Sequence, residues 1–196
     1  MKYFRIFDRV DGKARDRYWM LSDPTSSQGE PWEPFLHLVA GEKIQVPPYE
    51  FAYKLLSDGS PLRFNLSGLY IPVVDVSLAD RMCDYCGDEL QILGARIGSD
   101  LSDKYRTLNI ASRVDCLNAA KSDYIPWPDD YSGDRSRAVG WILKRPVLKR
   151  GAIEGRHAFR IAHWGNDWVV DETLITEIAS AVPKGIYRVD EVEISD

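Results

Sequence analysis

The sequence predicts an α+β fold: a mixed, largely antiparallel, strand-rich sheet with two main helices, at about 77–90 and 172–182. Three observations carry that expectation. Short apolar runs bounded by Gly, Pro, Asp and Ser recur along the chain and read as strands. Behind Asp75 or Ser77, and again behind Asp171, apolar residues recur at helical spacing after a capping side chain. No internal repeat and no clean linker divides the 196 residues, so they form one unit: an N-terminal strand-and-loop portion, 1–65, packed on an α+β domain, 66–196.

Aromatic and β-branched residues make 1–7 an opening strand that ends in a turn at Asp11-Gly12. Residues 22–34, rich in Ser, Pro and Gly, are loop. Phe35, His37 and Val39 alternate, with Gly41-Glu42 as a turn between two short strands. Leu69 to Val74 is a buried strand in which Pro72 must lie at an edge, an end or a bulge. Leu78, Met82, Tyr85, Cys86 and Leu90 form the apolar face of the first helix, which Gly87 weakens. Strands follow near 90–97, 105–111, 139–148 and 157–163, and Gly151 to Gly155 reads as a hairpin connection. Leu174, Ile175, Ile178 and Val182 face inward from the second helix. Pro183-Lys184-Gly185 stops it, and 186–192 closes the chain as a strand.

Hydrophobic residues at 44% and charged residues at 28% exclude a disordered, fibrous or coiled-coil chain. No apolar run approaches the roughly 20 residues that cross a bilayer. The first eight residues carry charge too early for a signal peptide. Three cysteines, an odd and sparse count, favour reduced thiols and a cytoplasmic protein. The net charge of −5 makes direct nucleic-acid binding a poor fit. Residues 135–170 carry eight cations and two acids, whereas 171–196 carry two and seven. Such segments either fold beside one another, the preferred reading, or leave an acidic face for a basic partner.

Cys83-Asp84-Tyr85-Cys86 is the one motif that invites metal or redox chemistry. It lacks a second ligand pair and lies inside a helix, so the reading is core thiols and no metal. His37, His157 and His163 are scattered, and no nucleophile elbow, zincin helix or phosphate loop accompanies them. The expectation is a protein without catalytic residues or cofactor. Lys144, Arg145, Lys149, Arg150 and Arg156 gather near one turn, where a solvated strand end or pairing with the acidic loops is preferred to anion binding. The candidate partner-binding residues are Tyr124, Trp127, Asp129, Asp130, Tyr131 and Asp134, in a Pro- and Gly-punctuated loop over 123–134. Aromatics there either anchor a partner or fold back on the sheet, and the acids either meet a basic partner or stay solvated.

Three stretches carry a family resemblance. They are Val114-Asp115-Cys116-Leu117 followed by Ser122 and Trp127; His157 to Ile161; and Val169 to Leu174 followed by Gly185-Ile186 and a closing strand. In their order and spacing, residues from about 66 to 194 resemble the immunity protein eleven family of bacterial toxin–immunity loci. Asn118 stands where that family commonly has an acid, and Asp171 where serine is frequent. The first 65 residues lie outside the resemblance. It implies a protein made beside a toxin that protects the producing cell by stoichiometric binding to that toxin. The alternative is an enzyme that reverses or hydrolyses the toxin's product.

Overall fold

Strand pairing gives two larger sheets and two ribbons, rather than the one sheet expected from sequence. The computed structural model describes residues 1–8, 17–26, 38–46, 50–57, 59–67, 70–98, 103–132, 140, 142–162, 164, 167–184 and 186–196. The expected turn at Asp11-Gly12, with Phe35, His37, His163 and Asp134, lies outside these residues. The first sheet contains β1 (Tyr3–Asp8), β8 (Arg113–Val114), β12 (Ala158–Ile161), β13 (Trp168–Asp171) and β14 (Tyr187–Glu191), in the order β14-β1-β13-β12-β8. The second contains β2 (Thr25–Ser26), β3 (Phe51–Tyr53), β4 (Phe64–Leu66), β5 (Pro72–Asp75), β6 (Leu90–Ile97) and β7 (Tyr105–Ile110), in the order β2-β3-β6-β7-β5-β4. Pairing is antiparallel except for β12 with β8 and β3 with β6. An antiparallel ribbon joins β9 (Asp123–Ile125) to β10 (Ile142–Arg145), and a parallel one joins β11 (Val147–Lys149) to β15 (Glu193–Ser195). The chain is thus α+β with mixed, mostly antiparallel sheets.

The helices α1 (Val76–Cys86) and α3 (Glu172–Ala181) begin where their caps require. Asp75 Oδ1 accepts the Leu78 N–H at 2.8 Å, and Asp171 Oδ1 accepts the Leu174 N–H at 2.9 Å. Each cap satisfies a donor that the helix itself leaves open. The first helix is shorter than its sequence pattern. Gly87 adopts φ 57° and returns its N–H to Cys83 O, which ends α1. A 3-10 turn over Gly87–Glu89 follows, and Leu90 starts β6 instead of continuing the helix face. Tyr85 also leaves that face, at 37% exposure.

Three further expectations are corrected. Residues 38–40 form a helical turn ended by Gly41 at φ 75°, and 42–46 have no regular structure, so among the described residues no strand flanks Gly41. Pro146 has no N–H to donate, so 139–148 divides into β10 and β11. Gly151 to Gly155 is no hairpin connection. It holds the one-turn helix α2 (Arg150–Ile153), and β11 pairs with β15 while β12 pairs with β13 and β8. The closing strand expected over 186–192 is β14 on β1, and β15 follows it to join β11.

Both sheets are covered on both faces. Leu78, Met82 and Cys86 of α1 meet Leu174, Ile175 and Ile178 of α3, with Val74, Leu108, Trp168 and Val170 from the two sheets. Each fully buried Leu or Ile contributes about 2 kcal/mol through surface removed from water. Val73, Leu93, Ala95 and Ile97 point the other way, toward Leu21, Leu38, Phe51 and Tyr53. Tyr3, Phe159, Ile161 and Val169 pack on Cys116, Leu143, Leu148 and Ile153 behind the first sheet. Residues 1–65 supply β1, β2, β3 and most of β4 to sheets completed by later strands. Among the described residues no helix is long and apolar enough to cross a membrane.

Asp75 also accepts from Arg63 and Ser77. Burial raises its pKa, but those bonds and the Leu78 N–H win, and the carboxyl lies below its ordinary 3.8. A depressed carboxyl adds stability above its unfolded pKa and loses it as pH falls through the folded value. Asp75→Asn should therefore lose less stability than the parent as pH drops below 3.8, measured by urea unfolding over an acid pH series. An unchanged acid limb would mean the Arg63 contact contributes nothing.

Candidate functional site

Tyr124 is a strand residue, not a loop residue. Asp123-Tyr124-Ile125 has strand propensity, but its partner is β10, with Ile125 opposite Ile142 and Tyr124 opposite Leu143. The half-buried Tyr124 ring packs on the Cys116 and Phe159 cluster. A Cβ on Gly140 would come within 2.6 Å of Tyr124 Cδ2 and of Ile125 O, so glycine alone lets the chain pass there. Of the six candidates, Tyr124 belongs to the scaffold.

Past Pro126, the Tyr131 N–H bonds Pro128 O at 3.1 Å and closes a turn with Asp129 and Asp130 at its two central positions. Aspartate suits such positions because it tolerates turn geometry at little cost. The turn brings Trp127 and Tyr131 together, with centroids 4.5 Å apart and planes at 19°. An aromatic pair in this geometry adds about 0.5–1.5 kcal/mol beyond its buried area. Both rings keep part of their surface in solvent, and Asp129 and Asp130 are exposed. The result is a preformed aromatic platform with two carboxylates at its tip. On the same ribbon, Ile142 is 45% exposed. Arg5 fixes β10 to the body by donating to Leu143 O and Lys144 O, both at 3.3 Å.

A second constellation escaped the sequence analysis, which treated His157 as a strand end and Asp171 only as a cap. Asp171 is fully buried, and its Oδ2 accepts the Tyr85 hydroxyl at 2.7 Å and binds His157 Nδ1 at 2.8 Å. A carboxylate only accepts, so Nδ1 carries a proton and donates it to Asp171. The ring lies 4.4 Å from that of Tyr85, and its side chain is 29% exposed. Buried Glu89 accepts the N–H groups of His157 and Ala158, each at 2.9 Å, and holds the histidine backbone. A hairpin reading of 157–171 would have placed these two residues opposite each other. The third cluster is buried: Arg5 bonds Asp167, with Arg160 nearby. Burial lowers the Arg160 guanidinium to about 10, against the pull of Asp167, and leaves it protonated at neutral pH.

All three cysteines are free thiols. Burial, with Asp80 and Asp84, pushes Cys83 up to about 11, and burial pushes Cys116 up to about 12 and Cys86 higher still. None is an activated nucleophile at neutral pH. Among the described residues no three His, Cys, Asp or Glu side chains gather to hold a metal. The basic turn meets acids: Arg145 pairs with Glu193 at 3.7 Å, Arg150 with Asp196 at 2.7 Å, and Arg156 with Glu89 at 3.6 Å. The acidic tail thus folds beside the basic segment, though the exposed pairs at Arg145 and Arg150 add little stability. No protein-family model matches the chain, and no curated protein matches it.

Proposed function

We propose that this chain is a cytoplasmic immunity protein that neutralises a cognate bacterial toxin by direct stoichiometric binding. The observation that supports it is the Trp127–Tyr131 stack carrying exposed Asp129 and Asp130 on an anchored ribbon. Binding energy at interfaces concentrates on rigid aromatic anchors, and acids beside them attract a basic partner. Ordering the rings beforehand lowers the entropic cost of docking. The net charge of −5 and the resemblance described above point the same way.

The test is calorimetric titration into the product of the neighbouring gene, held in an inactive form. Replacing Trp127, Asp129, Asp130 and Tyr131 together with alanine should weaken binding by roughly 100-fold or more, as loss of a hot spot does. Melting should fall by only about 2–6 °C, the share of the lost aromatic stack. Unchanged affinity in the folded variant would remove the platform from the reading.

The His157–Asp171 pair favours a second reading, an enzyme acting on the toxin's product, since Nε2 is oriented as a general base. Titration of toxin activity separates the two. Binding gives a stoichiometric endpoint, whereas catalysis protects at far less than one molecule per toxin and fails in His157→Ala.

A further inference from the structure

We propose that β14 is a homodimer edge, on which a second copy of this chain pairs antiparallel about Val189 to join two five-stranded sheets into one. β14 closes its sheet, with β1 on one side and no further strand on the other among the described residues. The phase of the ladder is fixed by Val192 N–H bonding Tyr3 O at 2.8 Å, in the register that sets Arg5 opposite Asp190 and Phe7 opposite Arg188. Antiparallel hydrogen-bonded pairs alternate, so the peptide groups of Arg188 and Asp190 face β1. Those of Tyr187, Val189 and Glu191 therefore face the outer edge.

Charged residues usually guard such an edge against other chains. Here the charges are complementary to themselves. An antiparallel second copy centred on Val189 sets Arg188 opposite Asp190 and Asp190 opposite Arg188, on one face of the joined sheet. On the other face Val189 meets Val189, and Tyr187 meets Glu191. The outward peptide groups also match: Val189 exchanges bonds with Val189, and Glu191 with Tyr187.

The register is selective. A slip of one residue sets outward peptide groups against inward ones and forms no ladder. A slip of two brings Arg188 against Arg188, or Asp190 against Asp190, and parallel pairing opposes like charges throughout. Arg188, Val189 and Asp190 reach solvent. Within each copy the Tyr187 hydroxyl stays on Phe64 O and the Leu66 N–H, and Glu191 on Lys2. Val189 is 42% exposed, and Arg188 and Asp190, which pair with each other at 2.6 Å within the strand, are 62% and 41% exposed. The contact is isologous and closes after two copies, as a twofold interface must. It lies on a different strand from the Trp127 platform and stands or falls apart from the immunity reading.

The test is sedimentation velocity of the full chain over a concentration series, with three variants. The expected result is a monomer–dimer equilibrium in the parent. Val189→Pro deletes an N–H that faces away from β1, so the intrachain ladder survives while dimerisation weakens at least tenfold. Asp190→Arg and Arg188→Asp each place like charges across the interface and should be monomeric alone. Mixed in equal amounts they should restore the dimer, because each Arg then meets an Asp of the other variant. A parent that stays monomeric to millimolar concentration overturns the proposal. So does a dimer that persists in both charge variants, or a mixture that fails to reassociate when circular dichroism shows both folded.

Discussion

Replacing Asp167 with alanine should destabilise the protein by about 3–5 kcal/mol, the usual cost of breaking a buried ion pair by removing one partner. Asp167 is 9% exposed and bonds the buried Arg5 guanidinium, while Arg160, fully enclosed, feels the same carboxylate. Burial raises the Asp167 pKa despite the opposing pull of both arginines. Alanine removes the anion that offsets two enclosed cations. The double variant Arg5→Met with Asp167→Leu should recover only part of the loss, because apolar side chains replace one charged pair while enclosed Arg160 keeps its charge without the carboxylate. Urea unfolding measures each value. A loss below about 1 kcal/mol in the single variant would mean water reaches the site and supplies the missing solvation. Arg5→Met alone also frees the carbonyls of β10, so it should loosen the ribbon beneath Trp127 and weaken partner binding.

What was legible in the sequence was what depends on near neighbours. Asp75 and Asp171 each accept a hydrogen bond three residues on, so their caps follow from local chemistry. The faces Leu78–Met82–Cys86 and Leu174–Ile175–Ile178 follow from helical spacing. What failed was decided by distant partners. Tyr124 became a strand residue because β10 supplies hydrogen bonds, and β11 left its expected course because β15 offers a parallel edge. Leu90 fits the helix spacing, yet Gly87 turns left-handed first and gives Leu90 to β6. There Leu90 pairs opposite Ile110 of β7, and the rest of β6 runs on between β7 and β3. The Arg5–Asp167 pair joins residues 162 positions apart, which no periodicity reports.

Asp171→Ala should cost on the order of 3 kcal/mol, because one carboxylate serves three donors from three elements. Losing the α3 cap accounts for about 1 kcal/mol, and the bonds from Tyr85 and His157 to a charged acceptor for most of the rest. Both of those side chains are partly exposed, so water replaces some of what they lose. Asp171→Asn separates the contributions. Its amide oxygen can still cap Leu174 N–H, but its NH2 group would face donors at Tyr85 and His157 unless both reorient. We expect a cost of about 1–2 kcal/mol for that variant. Tyr85→Phe, which removes one bond near the surface, should cost about 1 kcal/mol or less. The order Ala, then Asn, then Tyr85→Phe is the signature of a hub, measured by equilibrium unfolding of all three. If Asn costs as much as Ala, negative charge at the α3 N-terminus and beside His157 is the main contribution. If both cost under 0.5 kcal/mol, roughly the change a surface substitution makes, Asp171 is not the tie between α1, β12 and α3.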